Sequence, residues 1–249
     1  MLFFCIALPH GCIFYALPAM LEFMQAHLYI VATPIGNLED ITLRALRVLK
    51  ECDMVLCEDT RVTRKLLTHF DIQKPLVSYH AHSGFTKFDK VLELLKEGKT
   101  LALVSDAGTP TISDPGAVLV AQVREQFGDE VKIEVVPGAS AVTGALSIAG
   151  VPADSFLFLG FPPHKKGRKT FFDTLATEKY TTVFYESPHR IMKALESLVE
   201  RLPATKKVVV VRELTKIHEE VVTGTASYVL THFQEHADTV RGEFVVIVV

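Results

Sequence analysis

Small and polar residues that could bind a ligand follow four apolar, β-branched runs in the first half of the chain. The four segments are Thr33-Pro34-Ile35-Gly36-Asn37, Glu58-Asp59-Thr60-Arg61, Asp106-Ala107-Gly108-Thr109-Pro110 and Pro137-Gly138-Ala139-Ser140. In open α/β sheets a ligand binds beyond the carboxyl ends of the strands, and small residues let it approach the backbone closely. Each segment alone could simply cap a helix or form a turn. Four of them at one edge of a sheet predict a pocket.

A second group of candidate residues is basic. The segment Pro162-Pro163-His164-Lys165-Lys166-Gly167-Arg168-Lys169 carries four fixed positive charges beside a glycine. Such a concentration of charge suits contacts with the phosphates of structured RNA. The alternative interpretation is a basic loop that only faces solvent.

The elements that must position these residues alternate between strand and helix patterns, which is typical of parallel sheets built from βαβ units. Strands are predicted over residues 28–33, 54–57, 76–79, 101–105 and 133–136. Helices are predicted over residues 44–50 and 87–96, and in the remaining gaps. The first half is therefore expected to be an α/β domain spanning residues 28–150.

A small, turn-rich segment at residues 149–154 predicts a domain boundary. A second series of strands follows at residues 156–161, 182–185, 207–211, 219–223 and 243–249, with helices near 168–176 and 190–201. Because the last strands are adjacent along the chain, their sheet is expected to be mixed. The second domain is placed at residues 155–249.

Several classes of protein and site are disfavoured by missing motifs. The chain has no GxGxxG segment opening a helix, no Walker GxxxxGK[ST] and no GxSxG elbow. His80 and His82 have no third ligand nearby, so no metal site is predicted. The four cysteines lack a CxxC spacing, which favours reduced thiols and a cytoplasmic location.

The net charge of −3 is unevenly distributed. Residues 1–154 carry 13 Lys and Arg against 18 Asp and Glu, whereas residues 155–249 carry 13 against 11. A nucleic-acid partner would therefore have to meet a local basic patch.

Residues 1–27 are treated as an extra N-terminal segment. Residues 1–21 contain no Asp, Glu, Lys or Arg, but Pro9 and Pro18 interrupt the apolar run and no positive region precedes it. The interpretations left open are a miscalled start upstream of Met20 or Met24, a membrane anchor or signal, and a docked helix. No membrane association is expected unless the segment is a genuine anchor.

Five motifs occur in order along the chain: Leu28-Tyr29-Ile30-Val31-Ala32-Thr33-Pro34-Ile35-Gly36-Asn37-Leu38, Glu58-Asp59-Thr60-Arg61, Val104-Ser105-Asp106-Ala107-Gly108-Thr109-Pro110 with Asp114-Pro115-Gly116, Tyr185-Glu186-Ser187-Pro188-His189-Arg190 and Arg212-Glu213-Leu214-Thr215-Lys216. In combination they closely resemble the family of small-subunit ribosomal RNA methyltransferase I, within the tetrapyrrole methylases. The resemblance extends from about Leu28 to Val249.

The resemblance implies a two-domain tetrapyrrole-methylase fold, with S-adenosylmethionine bound in the cleft between the domains. It implies 2′-O-methylation of a cytidine in the decoding region of 16S rRNA, and a homodimer. Tyr185 stands where relatives contact the cofactor, and Glu186 stands where they carry Met. The other cofactor-binding residues implied are Pro34, Gly36, Asn37, Asp106, Ala107, Gly108, Thr109, Pro110, Pro137, Gly138, Ala139 and Ser140.

Methyl transfer to a ribose hydroxyl would be helped by a base, or by a cation that stabilises the developing alkoxide. Glu186 is the candidate base, and Lys216 or Arg212 the candidate stabiliser, because each lies at or just beyond the end of a predicted strand. The alternative for each residue is an ordinary salt bridge between domains.

Two other functions remain open at this point. One is a methyltransferase of the same fold that acts on a tetrapyrrole or another small molecule. The other is an RNA-binding module that has kept the fold and lost the cofactor. The basic segment disfavours the first, and binding of S-adenosylmethionine would exclude the second.

Overall fold

The computed structural model describes residues 4–8, 11–15, 26–79 and 85–249. Strands β1 (Phe4–Leu8) and β2 (Gly11–Tyr15) pair in an antiparallel hairpin. The docked-helix interpretation of this segment is therefore wrong for these residues, whose β-branched and aromatic content favours strands. No helix in the described part of the chain is long and apolar enough to cross a membrane.

A five-stranded parallel sheet forms the first half of the chain, in the order β5-β4-β6-β3-β7. The strands are β3 (Ala26–Val31), β4 (Met54–Cys57), β5 (Leu76–Ser78), β6 (Thr100–Leu103) and β7 (Val131–Val136). All five were predicted, and no end is shifted by more than two residues. β3 starts at Ala26, so the first strand begins inside the segment treated as extra.

Helices cover both faces of this sheet, as the predicted α/β class requires. The helices are α1 (Leu43–Glu51), α2 (Thr60–His69), α3 (Phe85–Lys96) and α4 (Gly116–Phe127). The apolar sides of α1 and α2 pack on one face, and those of α3 and α4 on the other. The chain first places β4 and β5 on one side of β3, and then returns to place β6 between β4 and β3 and β7 on the other side of β3. Because crossovers between parallel strands are right-handed, the helices formed before and after this return lie on opposite faces of the sheet.

A second five-stranded sheet is mixed, as predicted, in the order β11-β10-β12-β9-β8. The strands are β8 (Phe156–Phe158), β9 (Thr181–Glu186), β10 (Val208–Arg212), β11 (Glu220–Gly224) and β12 (Phe244–Val248). β8 and β9 are parallel, and the other pairs are antiparallel. β10 and β12 are buried along their whole length, because both faces of this sheet are covered.

Four helices cover the mixed sheet: α5 (Ala141–Ala149), α6 (Arg168–Thr177), α7 (Ile191–Arg201) and α8 (Ala226–Glu235). α6, α7 and α8 pack on one face. α5 follows the last parallel strand, but its Val142, Ala145 and Leu146 pack on the other face of the mixed sheet. α5 thus connects the two sheets, and a division into domains at residues 150–154 stays a prediction.

Candidate active site

Three of the predicted ligand-binding segments are held together by hydrogen bonds at the carboxyl edge of the parallel sheet. The amide of Thr33 donates to the carbonyl of Gly108 at 2.9 Å, and the amide of Gly108 donates to the carbonyl of Thr33 at 3.1 Å. The hydroxyl of Thr109 donates to the carbonyl of Ala139 at 3.1 Å. The segments after β3, β6 and β7 therefore form one surface.

Two glycines allow this close approach. Gly108 has φ +82°, and a Cβ there would lie 3.2 Å from the Ile35 side chain. A Cβ on Gly138 would lie 2.9 Å from Cβ of Ala32. A side chain at Gly108 would be strained by the backbone conformation and by contact with the neighbouring segment.

A cavity of about 370 Å³ opens between this surface and the mixed sheet. Its volume is within the range of small-molecule sites. The first half contributes Ile35, Ala107, Gly108, Thr109, Ile112, Ser140 and Ala141. The second half contributes Phe161, Tyr185, Glu186, Ser187, Pro188, Leu214, Gly242, Glu243, Phe244 and Val245.

The wall on the mixed sheet follows from strand direction. Phe244, at the start of β12, pairs with Glu186 at the end of β9 and with Arg212 at the end of β10. Because β12 runs antiparallel to both neighbours, its first residues meet their last residues at the same edge.

Tyr185 forms an aromatic part of this wall. Its ring packs edge-on against Phe158 and Phe161, with centroids 4.9 and 5.4 Å away. Burial raises the pKa of Tyr185 to about 12, so the phenol is neutral around neutral pH. Tyr185 and its aromatic neighbours therefore contribute an uncharged part of this wall.

The predicted cofactor-binding residues divide into two groups. Ala107, Gly108, Thr109, Ser140 and Tyr185 border the cavity. The other predicted residues do not border it: Pro34, Gly36, Asn37, Asp106, Pro110, Pro137, Gly138 and Ala139. Their roles as direct ligands stay predictions.

Two hydrogen bonds show what some of these residues do. Asn37 accepts a hydrogen bond from the amide of Glu39 at 3.1 Å and so caps a short 3₁₀ helix at Leu38–Asp40. Asp106 accepts one from the amide of Asp59 at 3.1 Å and thereby joins the segments after β6 and β4. These side chains are engaged in turns rather than directed into the cavity.

Glu186 borders the cavity, but its carboxylate is enclosed by two arginines. Arg168 approaches Oε2 at 3.1 Å, and Arg190 approaches Oε1 at 2.9 Å. The Glu186 side chain has no solvent exposure. A role as base stays a prediction, and the two arginine contacts favour a different role for Glu186.

Lys216 lies between two carboxylates beside the loop after β3. Its Nζ is 2.8 Å from Glu213 and 2.9 Å from Glu243, which borders the cavity. Burial lowers the pKa of Lys216, but the hydrogen bonds to both carboxylates outweigh this, and the pKa is raised. The side chain therefore carries its positive charge at neutral pH.

Arg212 is directed away from the cavity. Its Nε donates to Glu220 on β11 at 3.0 Å, and His232 contacts the same carboxylate at 2.8 Å. Arg212 is 8% exposed. Arg212 therefore forms a salt bridge, but within the mixed sheet rather than between domains.

The basic segment also divides. Lys165, Lys166 and Lys169 are exposed, whereas Arg168 is turned inward to Glu186. A phosphate contact by Arg168 would require this buried pair to open. The lysines have no such restraint.

Several cavity residues were not predicted from the sequence. Ile35, Ile112, Phe161 and Leu214 are ordinary apolar residues in sequence, and only packing brings them together. Gly242 and Glu243 immediately precede β12. A mixed sheet could have pointed to them, because an antiparallel strand begins at the edge where its neighbours end.

No group of three or more His, Cys, Asp or Glu suited to a metal ion is found within residues 26–79 and 88–249. His80 and His82, considered above as ligands, lie outside the described residues. Cys52 and Cys57 are buried free thiols.

The family model of tetrapyrrole (corrin/porphyrin) methylases matches residues 27–229. Uroporphyrin-III-C-methyltransferase from Thermus thermophilus is a solved structure with the same fold, at a TM-score of 0.61 and 21% identity, covering 89% of this chain and 93% of that one. The arrangement of the two sheets is thus that of the tetrapyrrole-methylase class.

Curated relatives define the family more narrowly. Ribosomal RNA small subunit methyltransferase I of Halalkalibacterium halodurans is 47% identical over 222 residues, covering 89% of this chain and 75% of the relative. The protein of the same name from Thermotoga maritima is 44% identical over 208 residues, covering 84% and 92%. The chain belongs to the ribosomal RNA small subunit methyltransferase I family.

Proposed function

We propose that this protein is a methyltransferase that modifies RNA of the small ribosomal subunit, with S-adenosylmethionine as methyl donor. The observation that carries the proposal is the 44–47% identity to relatives of that name over most of the chain. The cavity at the edge of both sheets gives the donor a site of suitable size.

The residues at the cavity suit this donor in kind. Gly108 presents backbone without a Cβ. The start of α5 borders the cavity at Ser140 and Ala141, and helix N-termini favour carboxylates such as that of the donor's amino-acid part. Ile35, Leu214 and Phe244 supply apolar surface for a planar ring.

We propose the ribose 2′-oxygen of a cytidine in the decoding region of 16S rRNA as the acceptor. S-adenosylmethionine, when bound, supplies an activated methyl group on a sulfonium. The protein then has to align the ribose oxygen with that carbon and exclude water. The apolar wall formed by Tyr185, Leu214 and Phe244 supports the second task.

Lys216 is the favoured electrostatic stabiliser of the developing alkoxide. It is charged, it contacts Glu243 at the cavity border, and Gly36 leaves room for its side chain, since a Cβ there would lie 2.5 Å from Lys216 Cγ. Arg212 is a weaker candidate because its partner Glu220 lies on β11 and does not border the cavity, whereas Glu243, a partner of Lys216, does. Glu186 remains the candidate base, although both of its carboxylate oxygens already accept hydrogen bonds.

The RNA would meet the second half of the chain at Lys165, Lys166 and Lys169. The three side chains are exposed, and the segment that carries them adjoins Phe161 at the cavity. Phosphate contacts there would place a nucleotide near the donor. The acidic first half of the chain would not need to contact the RNA.

The alternative acceptor is a tetrapyrrole or another small molecule, which the name of the fold's other members suggests. Purified protein with labelled donor should transfer methyl groups to unmodified 30S subunits and not to a porphyrinoid. Transfer to the porphyrinoid alone would overturn the proposal.

The decisive experiment maps ribose methylation on 16S rRNA from cells with and without this gene. One 2′-O-methylcytidine in the decoding region should disappear with the gene and return with the wild-type copy. An unchanged methylation map would refute the acceptor assignment.

A homodimer, a cytoplasmic location and two domains complete the proposal. Exposed apolar side chains on and near the edge strand β8, namely Phe156, Leu157, Leu159, Phe161 and Tyr180, support an association of subunits. Sedimentation equilibrium of the full chain would measure the oligomeric state.

A further inference from the structure

One buried carboxylate joins the basic segment to the wall of the cavity. Oε2 of Glu186 accepts hydrogen bonds from Nη1 and Nη2 of Arg168, at 3.1 and 3.2 Å. Oε1 lies 2.9 Å from Nη2 of Arg190 and accepts a bond from the amide of Ser187, also at 2.9 Å. Glu186 is thus the centre of a buried ionic triad.

Both arginines also bind the start of the basic segment. Nη1 of Arg190 donates to the carbonyl of Pro162, and Nη1 of Arg168 donates to the carbonyl of Pro163, each at 3.4 Å. The Arg168 guanidinium lies 5.1 Å from the ring centroid of Phe172 on α6. The triad therefore connects the end of β9, the two prolines and the first turn of α6.

This arrangement is poorly suited to proton abstraction by Glu186. A base must reach the proton that it removes, and the Glu186 side chain is inaccessible to solvent. Each of its oxygens already has two donors.

We propose that Glu186 is a positioning residue for RNA rather than a base. Through Arg168 and Arg190 it holds residues 162–169 in place, so that Lys165, Lys166 and Lys169 stand at a fixed distance from the donor cavity. Cations that are already ordered lose less conformational entropy when they bind phosphates. This inference rests on the proposed function, and it identifies the residues that hold the proposed RNA site in place.

The direction in which Glu186→Gln changes RNA affinity distinguishes a positioning role from a purely electrostatic one. The amide keeps the shape but cannot satisfy two guanidinium groups, so both arginines are released. If charge alone governed RNA affinity, two freed cations would tighten binding and steepen its salt dependence. If Glu186 positions the basic segment, we expect the opposite: about tenfold weaker binding to 16S rRNA and a smaller slope of log affinity against log salt.

The same variant separates positioning from base catalysis. With RNA and donor saturating, a positioning role leaves turnover and its pH profile close to those of the wild type. Loss of a base would lower turnover by about 100-fold or more, remove the acidic limb of the profile and leave the RNA affinity intact. That result, or tighter RNA binding, overturns the inference.

Arg168→Lys serves as the second variant, because removing the buried carboxylate can impair folding. Lysine keeps the charge but has no second nitrogen, so it cannot reproduce the paired contacts that Nη1 and Nη2 make with Oε2. The inference predicts weaker RNA binding with the charge unchanged. Wild-type affinity in Arg168→Lys would refute it.

Tryptic cleavage tests the anchor without RNA and so separates this inference from the proposed function. Cleavage after Lys165 and Lys166 in the native protein should be faster in Glu186→Gln and Arg168→Lys than in the wild type. Glu220→Gln, which breaks the pairing with Arg212 and His232 instead, is the matched control and should cleave at the wild-type rate. Equal rates in all four proteins would refute the anchor even if the rRNA is methylated.

Discussion

At the residue scale, Gly108 is the position where the sequence motif and the cavity geometry coincide most directly. Its φ of +82° and its contact with Ile35 make any side chain costly there. The two effects can be separated, because Gly128 also has positive φ, at +52°, but nothing lies within 4 Å of a Cβ built on it.

We expect Gly108→Val to abolish binding of S-adenosylmethionine, because the added side chain would displace the loops that border the cavity. Gly128→Val is the control, and both variants should lose about 1–3 kcal/mol of stability from backbone strain. Titration calorimetry on the folded proteins measures the donor affinity. Wild-type affinity in Gly108→Val would remove this loop from the donor site.

Lys216 is the second residue with a testable role. We expect Lys216→Ala to lower the rate of methyl transfer in a single turnover by about 100-fold, with the affinities for donor and RNA little changed. The charge matters mainly when the alkoxide develops. Lys193→Ala, at an exposed position on α7, is the control. An unchanged rate would leave Lys216 as a partner of Glu213 and Glu243 only.

At the element scale, three lysines between the end of β8 and the first turn of α6 are exposed, whereas Arg168 beside them is directed inward to Glu186. We expect replacement of Lys165, Lys166 and Lys169 by Ala to weaken RNA binding. The slope of log affinity against log salt should fall by about one unit for each phosphate that a lysine no longer neutralises. Donor affinity should not change, because none of the three borders the cavity.

The matched control removes the same charge from a part of the surface that does not border the cavity. Lys90, Lys96 and Lys99 are exposed: Lys90 lies midway along α3, and Lys96 and Lys99 lie just before β6, at its amino end. Their replacement by Ala should leave the salt slope close to that of the wild type. Equal slopes for both triple variants would return residues 162–169 to the role of a solvated loop.

At the scale of the whole molecule, α5 couples the two sheets. It follows β7 of the parallel sheet, buries Ala145 against the mixed sheet and begins at the cavity. Stability and donor binding should therefore respond together to a change in its packing.

We expect Ala145→Leu to lower the free energy of unfolding by about 1–3 kcal/mol through overpacking, and to weaken donor binding because the start of α5 shifts. Ala121→Leu, at an exposed position on α4, should change neither. Denaturant unfolding and calorimetry measure the two quantities. A loss of stability with wild-type donor affinity would show that α5 does not transmit its packing to the cavity.

The sequence by itself determined the strands, the fold class and the segments that surround the cavity. Strand positions follow from local apolar runs, as in β4 (Met54–Cys57), whose predicted and observed limits agree. The order of segments such as Asp106 to Pro110 after β6 then places them at one edge, because parallel strands end on the same side. These are local and topological properties, which a linear pattern can contain.

The tertiary structure alone decided which side chains meet. Sequence spacing could not reveal that Glu186, Arg168 and Arg190 form one buried triad, because Arg168 and Glu186 lie 18 residues apart and are joined only when α6 packs beside β9. Nor could it show that Arg168 faces inward while its neighbouring lysines face solvent. Side-chain direction and partner depend on the packing of distant elements, and an ion pair forms in the interior only where that packing excludes water and supplies both charges.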